Sequence, residues 1–446
     1  MQKGAKKVNM VIQRDKYLNE LINKKGNGLI KVITGLRRSG KSYLLFTLFD
    51  NYLKSIGISE EHILKFAFDN DEDLEKLDSY FPDEPTKVFD RKTNSYLINS
   101  KKFRSYIHDL TIKDGYYYLL LDEIQLLEDF VGTLNGFLRH DNFDTYVTGS
   151  NSKMLSSDVI TEFRGRGDRI GLLPLSFSEF YSAFNGSFAD AYKLYSYFGG
   201  MPMIASLISE NDKSRYLFDL YKETYKKDII GRYKIEDSFA FDALVKIIAS
   251  SIGSYTNPTK LENTFKSEIG KNYSHITIQN HLDFLEDSFL IRKVSRYDIK
   301  GKKYINANYK YYFSDIGIRN SLLNFRQQEP NHIMENIIYN ELLYRGYDVD
   351  VGIVEAVEKN KNNNSIKKQL EVDFVVNDIN SKFYIQSVYS IDDMYKKNQE
   401  EKSLLKINDG FRKIIILNDN FKSYYNEQGI LVISLEDFLL NRVKID

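Results

Sequence analysis

The chain has 446 residues, of which 42% are hydrophobic and 14% aromatic; this length indicates more than one domain, and this composition excludes disorder throughout. Cysteine is absent, which excludes a disulfide framework, thiolate zinc sites and a cysteine nucleophile, and fits a reducing compartment. The 62 basic side chains balance the 62 acidic ones, so the chain as a whole has no attraction to nucleic acid or to anionic membranes.

The N-terminal residues do not have the pattern of a targeting segment. The sequence MQKGAKKVNMVIQRD is basic but lacks an apolar core of signal-peptide length. No stretch of the chain reaches the roughly 18 apolar residues that a membrane span requires. We therefore expect a cytoplasmic protein without a membrane span.

From about residue 8 to residue 180, short apolar runs alternate with segments of helical periodicity. This alternation predicts an α/β domain with a mainly parallel sheet. Each run is bounded by turn residues and rich in branched or aromatic side chains, as in a buried strand. The predicted strands are Leu29–Thr34, Ile63–Phe68, Tyr116–Leu121, Thr145–Thr148 and Arg169–Leu173.

A glycine-rich loop connects the first predicted strand to an apolar helix. Its residues are Gly35, Leu36, Arg37, Arg38, Ser39, Gly40, Lys41 and Ser42, in the G-x-x-x-x-G-K-[ST] pattern of phosphate-binding loops. The two glycines permit a tight turn that aims backbone N–H groups at phosphates, and the helix N-terminus adds partial positive charge.

The last two residues of this loop supply the side chains of an ATP site. Lys41 would contact the β- and γ-phosphates, and the Ser42 hydroxyl would bind Mg²⁺. The alternative is a glycine-rich turn with a surface lysine. Arg37 and Arg38 either contribute to the cradle or are simply exposed.

Two acidic residues, Asp122 and Glu123, follow the apolar run Tyr116–Leu121. A buried strand that ends in acids places carboxylates at the carboxyl edge of the sheet, where ligands bind in open α/β folds. Asp122 is then placed for the magnesium ion, and Glu123 for activating the attacking water as general base. Alternatively, the two acids only begin a helix.

A polar residue after the strand Asp144–Thr148 is the next candidate. Ser150 or Asn151 would lie between the γ-phosphate and Glu123, where it could orient the attacking water. The alternative is an N-cap for a helix that begins near Ser152.

Four segments, GLRRSGKS, YYYLLLDEIQ, YVTGSNSKML and FRGRGDRIGLLPLSFSEF, together resemble the prokaryotic AAA-like ATPases that carry a restriction-endonuclease-like C-terminal domain of unknown function. The resemblance covers essentially the whole chain. It implies an ATPase core of the additional-strand, catalytic-glutamate type, in which the P-loop strand is flanked by a neighbour of the Asp122 strand. It also implies the roles given above for Lys41, Ser42, Asp122 and Glu123.

The same resemblance points to two arginines. Arg164 and Arg166 match the position where such proteins carry an arginine that contacts the γ-phosphate, in some cases that of a neighbouring subunit. A guanidinium there would stabilise charge on the transferred phosphoryl group. The alternative is a solvated basic loop.

Residues 186–325 are predicted to be a helical lid followed by a winged helix. The lid is interrupted at Gly199-Gly200-Met201-Pro202. Helical periodicity then predicts three helices, with Ile278, Leu282 and Leu285 on the buried face of the third, followed by a hairpin. The predicted bounds are Phe241–Ile252, Pro258–Ile269 and His275–Asp287 for the helices and Leu290–Asn306 for the hairpin.

The predicted hairpin is strongly basic. Between Arg292 and Lys310 the chain has seven basic residues against one acidic residue, and Lys300, Lys302 and Lys303 form the tip. A basic wing beside a polar helix face favours contact with the backbone of duplex DNA. A protein-interaction module or a lid would have the same pattern.

The C-terminal region resembles the restriction-endonuclease-like fold but lacks part of its chemistry. Such nucleases hold Mg²⁺ with two acids, and a lysine two residues beyond the second acid helps to activate water. Asp373 supplies the first acid and Glu335 a helix carboxylate, but Gln386 replaces the second acid and Val388 the lysine. Unless Lys396 or Lys397 reaches back, we expect a degenerate nuclease fold with a structural or recognition role.

The sequence therefore predicts four domains. These are a P-loop ATPase core (1–185), a helical lid (186–240), a winged helix (241–325) and a degenerate restriction-endonuclease-like α/β domain (326–446). The expected function is Mg-dependent ATP hydrolysis by a switch or motor coupled to the C-terminal recognition domain, with self-association as an option for completing the site. The alternatives are a nucleotide-gated DNA-binding protein with little turnover and an ATP-dependent nuclease.

Overall fold

A computed structural model describes residues 12–91, 95–111, 115–149, 165–268, 270, 273–359, 365–378, 381–389 and 401–445. Of these, the residues up to Pro174, with Asp287–Phe289, form one compact unit, and Leu175–Glu286 with the residues from Leu290 onward form a second. Within the described ranges, no helix combines the length and the apolar character needed to cross a membrane. The finer division into four domains stays a prediction.

The first unit is built on a five-stranded parallel sheet. Every run that the sequence predicts to be a strand is one, with ends shifted by one or two residues. The strands are β1 (Ile30–Gly35), β2 (Ile63–Ala67), β5 (Tyr117–Asp122), β6 (Phe143–Gly149) and β7 (Gly167–Leu172), and a two-stranded hairpin, β3 (Lys87–Asp90) with β4 (Ser95–Ile98), lies outside the sheet.

The order of the strands, β2-β5-β6-β1-β7, determines which residues meet at the edge of the sheet. Strand β6 lies between the P-loop strand β1 and the strand β5 that ends at Asp122. All these pairings are parallel, so the loop, Asp122 and the end of β6 lie at the same edge. The order is the one expected for an additional-strand ATPase core.

Helices cover the sheet and complete an apolar core with its side chains. One face of the sheet, including Ile30, Leu121 and Val147, packs with Phe103 and Leu134 of two helices. The helices of this unit are α1 (Asp15–Asn23), Lys41–Tyr43, Asp50–Ser55, Asp71–Glu75, Ser100–Leu110 and Phe130–Phe137, with a π-helical turn at Leu44–Phe49.

The second unit begins with helices. They are Phe177–Ser182, Phe188–Phe198, Pro202–Ser206, Glu210–Asp219, Lys227–Tyr233, Ser238–Ser250, Pro258–Glu268 and His275–Asp287, and a π-helical turn lies at Leu220–Lys226. The apolar face predicted for the eighth is confirmed, because Ile278, Leu282 and Leu285 are buried.

An eight-stranded sheet forms the rest of the second unit. Its strands are Ile291–Asp298 (β8), Lys303–Phe313 (β9), Asp348–Lys359 (β10), Ser365–Asn377 (β11), Lys382–Val388 (β12), Arg412–Leu417 (β13), Tyr424–Tyr425 (β14) and Leu431–Ser434 (β15). Their order is β14-β15-β13-β12-β11-β10-β8-β9, so the predicted basic hairpin, β8 and β9, belongs to the same sheet as the C-terminal strands. Helices Ile316–Leu322, Pro330–Arg345 and Leu435–Leu439 accompany the sheet.

The Gly199-Gly200 break is explained by a close backbone contact. A Cβ at Gly199, where φ is +74°, would lie 2.4 Å from Oδ1 of Asp315, and a Cβ at Gly200 would lie 2.3 Å from the carbonyl oxygen of Leu175. The carboxylate of Asp315 accepts hydrogen bonds from the Gly200 N–H at 2.8 Å and the Ile318 N–H at 2.9 Å. Burial raises the pKa of Asp315 to about 6, although these backbone donors oppose the shift.

A buried ion pair lies inside the parallel sheet of the first unit. The ammonium of Lys31 on β1 donates to the carboxylate of Asp144 on β6, and both side chains are almost fully inaccessible. The Tyr146 hydroxyl and the Gly26 N–H, each at 2.9 Å, also donate to Asp144. The pair therefore connects the P-loop strand to its neighbour.

Asp144→Asn should destabilise the first unit by about 3–5 kcal/mol, because it leaves the Lys31 ammonium buried without its counter-charge. Chemical denaturation measures the effect. Asp71→Asn is the matched control, since Asp71 pairs with Lys87 at 3.2 Å on the surface and should change stability by less than about 1 kcal/mol. Equal effects of the two substitutions would contradict the prediction.

Candidate functional site

The glycine-rich loop has a backbone that requires glycine at two positions. The φ angle is +147° at Gly35 and +99° at Gly40. A Cβ at Gly35 would lie 2.1 Å from the carbonyl oxygen of Leu172, at the end of β7. Both motif glycines are therefore required by the shape of the loop and by its packing against the sheet.

Lys41 lies inside the loop. Its side chain is buried, and its ammonium donates to the carbonyl oxygens of Gly35 at 3.1 Å and Leu36 at 3.2 Å. Burial lowers the pKa of Lys41, and the carboxylates of Glu123 and Asp122 oppose the shift. The ammonium is thus held by neutral acceptors, from which an incoming phosphate can attract it.

Asp122 ends strand β5 with a buried carboxylate. Burial raises its pKa, while hydrogen bonds from the hydroxyls of Thr148 and Ser42 oppose the shift. Ser42, from the loop, and Asp122, from the neighbouring part of the sheet, therefore lie next to each other. A hydroxyl and a carboxylate oxygen are the hard ligands that suit Mg²⁺, so this pair fits the expected metal.

Thr148, on β6, holds both members of the acidic pair. Its hydroxyl donates to Oδ1 of Asp122 and accepts the backbone N–H of Glu123 at 3.1 Å. Glu123 has a left-handed backbone, with φ of 53° and ψ of 46°, which costs free energy for a residue with a side chain. The hydroxyl of Thr148 therefore stabilises an unfavourable turn that directs Glu123 away from the strand.

A third acid lies near Glu123 at the same edge of the sheet. Asp69 follows β2, whose last residue, Ala67, pairs with Asp122. Partial burial of its carboxyl group raises the pKa of Asp69, the charge of Glu123 raises it further, and Arg37 opposes both. Asp69, Glu123 and Arg37 therefore interact electrostatically beside the loop.

The second unit contains a separate cluster of acids around a buried lysine. Carboxylate oxygens of Glu335, Glu371 and Asp373 lie within 4.8 Å of one another. The ammonium of Lys310, on β9, is 2.7 Å from Glu335 and 2.5 Å from Glu371. Burial alone would lower the pKa of Lys310, but these three carboxylates raise it above its ordinary value.

Neutral protein donors also contact the carboxylates of Asp373 and Glu335 in this cluster. Asp373 accepts from the backbone N–H and the hydroxyl of Ser387, at 2.8 and 2.6 Å. Gln386 exchanges hydrogen bonds with Asp373, since its oxygen accepts the Asp373 N–H at 3.0 Å. The Tyr312 hydroxyl donates to Glu335 at 2.5 Å. The cluster is thus held together by an internal cation and neutral donors.

Comparison with known proteins identifies relatives along almost the whole chain. An uncharacterized protein of Haemophilus influenzae is 32% identical over 439 residues, covering 96% of this chain and 99% of the relative. The chain belongs to the family of this Haemophilus protein. An uncharacterized protein of Methanocaldococcus jannaschii is 27% identical over 447 residues, covering 96% of this chain and 88% of that relative.

Two family models match separate parts of this chain. Residues 27–181 match an AAA domain, which contains the P-loop, Asp122 and Glu123. Residues 189–329 match a domain of unknown function (DUF8612) that spans most of both the predicted lid and the predicted winged helix. The AAA domain confirms the expected class of the first unit, an AAA-like P-loop ATPase.

Two solved structures are more distant from this chain. Cdc6p of Pyrobaculum aerophilum is 14% identical, with a TM-score of 0.27 over 75% of this chain and 96% of that one. AMPPCP-bound DnaA of Aquifex aeolicus is 13% identical, with a TM-score of 0.30 over 61% of this chain and 86% of that one. Similarity at this level supports no inference about the function of the family.

The structure brings together the predicted P-loop residues and the acidic pair, but several predicted residues cannot be placed. Ser150, Asn151 and Arg164 lie outside the described residues. Arg166 is exposed just before β7, and its carbonyl accepts the Ile30 N–H at 3.0 Å. The roles predicted for Asn151, Arg164 and Arg166 stay predictions.

Sequence reasoning missed Thr148 and Asp69 in the first unit. Thr148 is the last residue of the predicted strand Asp144–Thr148. It was therefore a candidate for contacting the acidic pair, ahead of Ser150 and Asn151. Asp69 follows the predicted strand Ile63–Phe68 in the same way. The signal in both cases is a polar residue at the carboxyl end of a parallel strand.

In the second unit, the interpretation that places Lys310 on the basic surface of the hairpin is wrong. Lys310 is buried between acids, so it adds nothing to a basic surface. Lys396 and Lys397, the two candidates for a lysine that reaches back, lie outside the described residues, and Val388 packs in the apolar core. A signal for the position of Lys310 was present in the sequence. Side chains alternate between the two faces of a strand, so Lys310 and Tyr312 lie on the same face of β9.

Lys310→Met should destabilise the second unit by about 3–5 kcal/mol, because it leaves the buried carboxylates without their cation. Adding Glu335→Gln should restore part of this loss by removing one of the charges. The matched control is Lys367→Met, since Lys367 is exposed and 3.7 Å from Glu355 on the same sheet. Denaturant unfolding provides the measurement, and an unchanged midpoint for Lys310→Met would contradict the prediction.

Proposed function

We propose that this chain binds Mg-ATP at the P-loop and hydrolyses it with Glu123 as general base. The observation that carries the proposal is the hydrogen-bonded connection from Ser42 through Asp122 to Thr148 and Glu123. It joins the loop that would hold the phosphates to the acid that would activate water. The match to an AAA domain supports the same function.

The binding residues have separate roles. Backbone N–H groups of Leu36–Ser42 would surround the phosphates, and Lys41 would move from its carbonyl partners to the β- and γ-phosphate oxygens. Ser42 and Asp122 would hold Mg²⁺, which neutralises charge on the phosphates when it is bound. Arg37 is an exposed residue of the loop itself, where its guanidinium can interact with a phosphate.

Glu123 would act on the water that attacks the γ-phosphorus. The water oxygen forms a bond to phosphorus as the bond to the β,γ-bridging oxygen breaks, and the water proton passes to the Glu123 carboxylate. Thr148 positions this carboxylate through the backbone of Glu123. ADP leaves with the bridging oxygen, and Asn151 is proposed to orient the water.

We further propose that hydrolysis serves as a switch or motor coupled to the C-terminal region. Charge on the transferred phosphoryl group would be stabilised by Arg164 or Arg166, from the same chain or from a second copy. A hydrolysis rate per molecule that rises with protein concentration would support the second arrangement.

Glu123→Gln should lower ATP hydrolysis by about 10²–10⁴-fold, because the amide cannot accept the water proton. Binding of Mg-ATP should be retained, since the phosphate contacts are unchanged. Phosphate release in single turnover and equilibrium binding measure the two effects separately.

Two controls define what this experiment tests. Glu128→Gln, an exposed acid five residues beyond Glu123 in the same segment, should hydrolyse ATP like the wild type. Lys41→Ala should lose nucleotide binding itself. Wild-type turnover by Glu123→Gln would exclude Glu123 as the base, and tight Mg-ATP binding by Lys41→Ala would exclude the P-loop as the site.

Binding of duplex DNA is a second candidate function, favoured by exposed lysines in the β8–β9 hairpin. Lys300, Lys302 and Lys303 are exposed at its turn, and the Lys300 ammonium contacts the Glu355 carbonyl at 2.8 Å. The surface is smaller than the sequence suggests, because Lys310 is internal and Lys293 lies over the Tyr309 ring. Three lysines still suffice for a salt-dependent contact with phosphates.

Changing Lys300, Lys302 and Lys303 to Glu should abolish binding of a labelled duplex at low salt. If each lysine replaces about one counterion, a partial loss would lower the slope of log affinity against log salt by about 0.9 per lysine. Glu substitutions at Lys402, Lys406 and Arg412, which are also exposed, form the matched control. No binding by the wild type, or equal losses in both triple variants, would rule out the hairpin as a DNA site.

We do not propose nuclease activity for the second unit. Lys310, Tyr312, Gln386 and Ser387 already supply hydrogen bonds to the acids of its cluster. Val388, at the position expected for a lysine, is apolar and buried. These observations favour a structural role for the cluster over phosphodiester cleavage.

A further inference from the structure

Arg14, immediately before helix α1, is buried against the P-loop. Only 3% of its surface is exposed. Its Nη1 donates to the Ser39 carbonyl at 3.1 Å, and its Nη2 donates to the Leu173 carbonyl at 2.7 Å. Burying an arginine is costly unless its charge and its donors are compensated, and here two backbone carbonyls accept from the two terminal nitrogens.

The surroundings of Arg14 fix its guanidinium in place. The guanidinium carbon lies 4.9 Å from the ring centre of Tyr17, one turn along α1. The hydroxyl of Tyr17 accepts the Leu173 N–H at 3.1 Å. Arg14 and Tyr17 thus bind both the carbonyl and the N–H of the residue that follows β7.

The contact with Ser39 controls the orientation of a peptide plane inside the P-loop. In a planar trans peptide, the carbonyl and the next N–H point in opposite directions. Because the Ser39 carbonyl points to Arg14, the Gly40 N–H points away from Arg14. Gly40 is in the left-handed region, with φ of +99°, and it has no Cβ that would restrict this plane.

We infer that Arg14 is a positioning residue of the nucleotide site, which holds the Ser39–Gly40 peptide so that the Gly40 N–H is directed to bound phosphate. The inference rests on the proposed function. It adds a residue outside the P-loop motif, distant in sequence, whose contribution is to prepare the phosphate cradle before nucleotide arrives. Preorganised donors bind more tightly because less ordering accompanies binding.

The chain provides a matched control on the same helix. Lys24, at the other end of α1, donates to Oδ1 of Asp168 at 2.6 Å and to the Arg169 carbonyl at 2.8 Å. Lys24 therefore also attaches α1 to β7, but it does so near the start of that strand instead of its end. A substitution there weakens the attachment of the helix without touching the P-loop.

The experiment measures the Kd for MgADP and the kcat and KM for Mg-ATP in Arg14→Met, Arg14→Lys and Lys24→Met, each with its Tm. Arg14→Met keeps an unbranched side chain close in length to the aliphatic part of arginine but without the guanidinium donors, so the Kd should rise about tenfold or more, which corresponds to about 1.4 kcal/mol. KM should rise, while kcat at saturation changes by less than about threefold. For Arg14→Lys, whose ammonium can still donate to a carbonyl, the Kd should lie between the values for the wild type and for Arg14→Met.

Lys24→Met should lower the Tm while leaving the Kd within about twofold of the wild type. The inference is overturned if Arg14→Met binds MgADP like the wild type, or if Lys24→Met weakens binding as much as Arg14→Met does. If Arg14→Met does not fold, the comparison of Arg14→Lys with Lys24→Met decides in the same way. Wild-type protein that binds no nucleotide would instead overturn the proposed function itself.

Discussion

The proposed ATP site depends on one hydrogen-bonded connection, in which the Thr148 hydroxyl on β6 holds Asp122 and Glu123 at the end of the neighbouring strand, β5. Strand order makes this connection possible, because β6 lies between the P-loop strand and the acidic strand. Without a donor at Thr148, the buried Asp122 carboxylate would lose a partner and the left-handed turn at Glu123 would lose its acceptor. In the proposed mechanism, metal binding at Asp122 and water activation by Glu123 would therefore be linked through one side chain.

The parallel sheet was predictable because its signals are local. Each strand is a short apolar run, and the P-loop carries its glycines, lysine and serine in eight consecutive residues. Asp122 and Glu123 follow their strand directly, so their position at the carboxyl edge follows from the strand assignment alone. The strand ends differ from expectation by only one or two residues, where hydrogen bonding and apolar pattern diverge.

The contacts that escaped prediction join residues that are distant along the chain. Lys310 meets Glu335 and Glu371 only because β9 packs beside helix Pro330–Arg345 and near β11 within one unit. Arg14 reaches Ser39 and Leu173 in the same way, across the attachment of α1 to β7. Neither residue belongs to a spacing pattern, and a charge in an otherwise apolar strand or before a helix predicts exposure more often than burial.

The two acid clusters show why carboxylates alone do not predict a cation site. In the first unit, Lys41 donates to neutral carbonyl oxygens and Asp122 accepts hydrogen bonds from hydroxyls, so the lysine ammonium is bound to the loop backbone and does not take the place of the proposed divalent cation. In the second unit, the ammonium of Lys310 already contacts two of the acids directly. A divalent ion there would have to approach a cation and displace its ion pairs, at a Coulombic cost that burial increases. The position of the lysine, more than the number of acids, separates a metal site from a structural one.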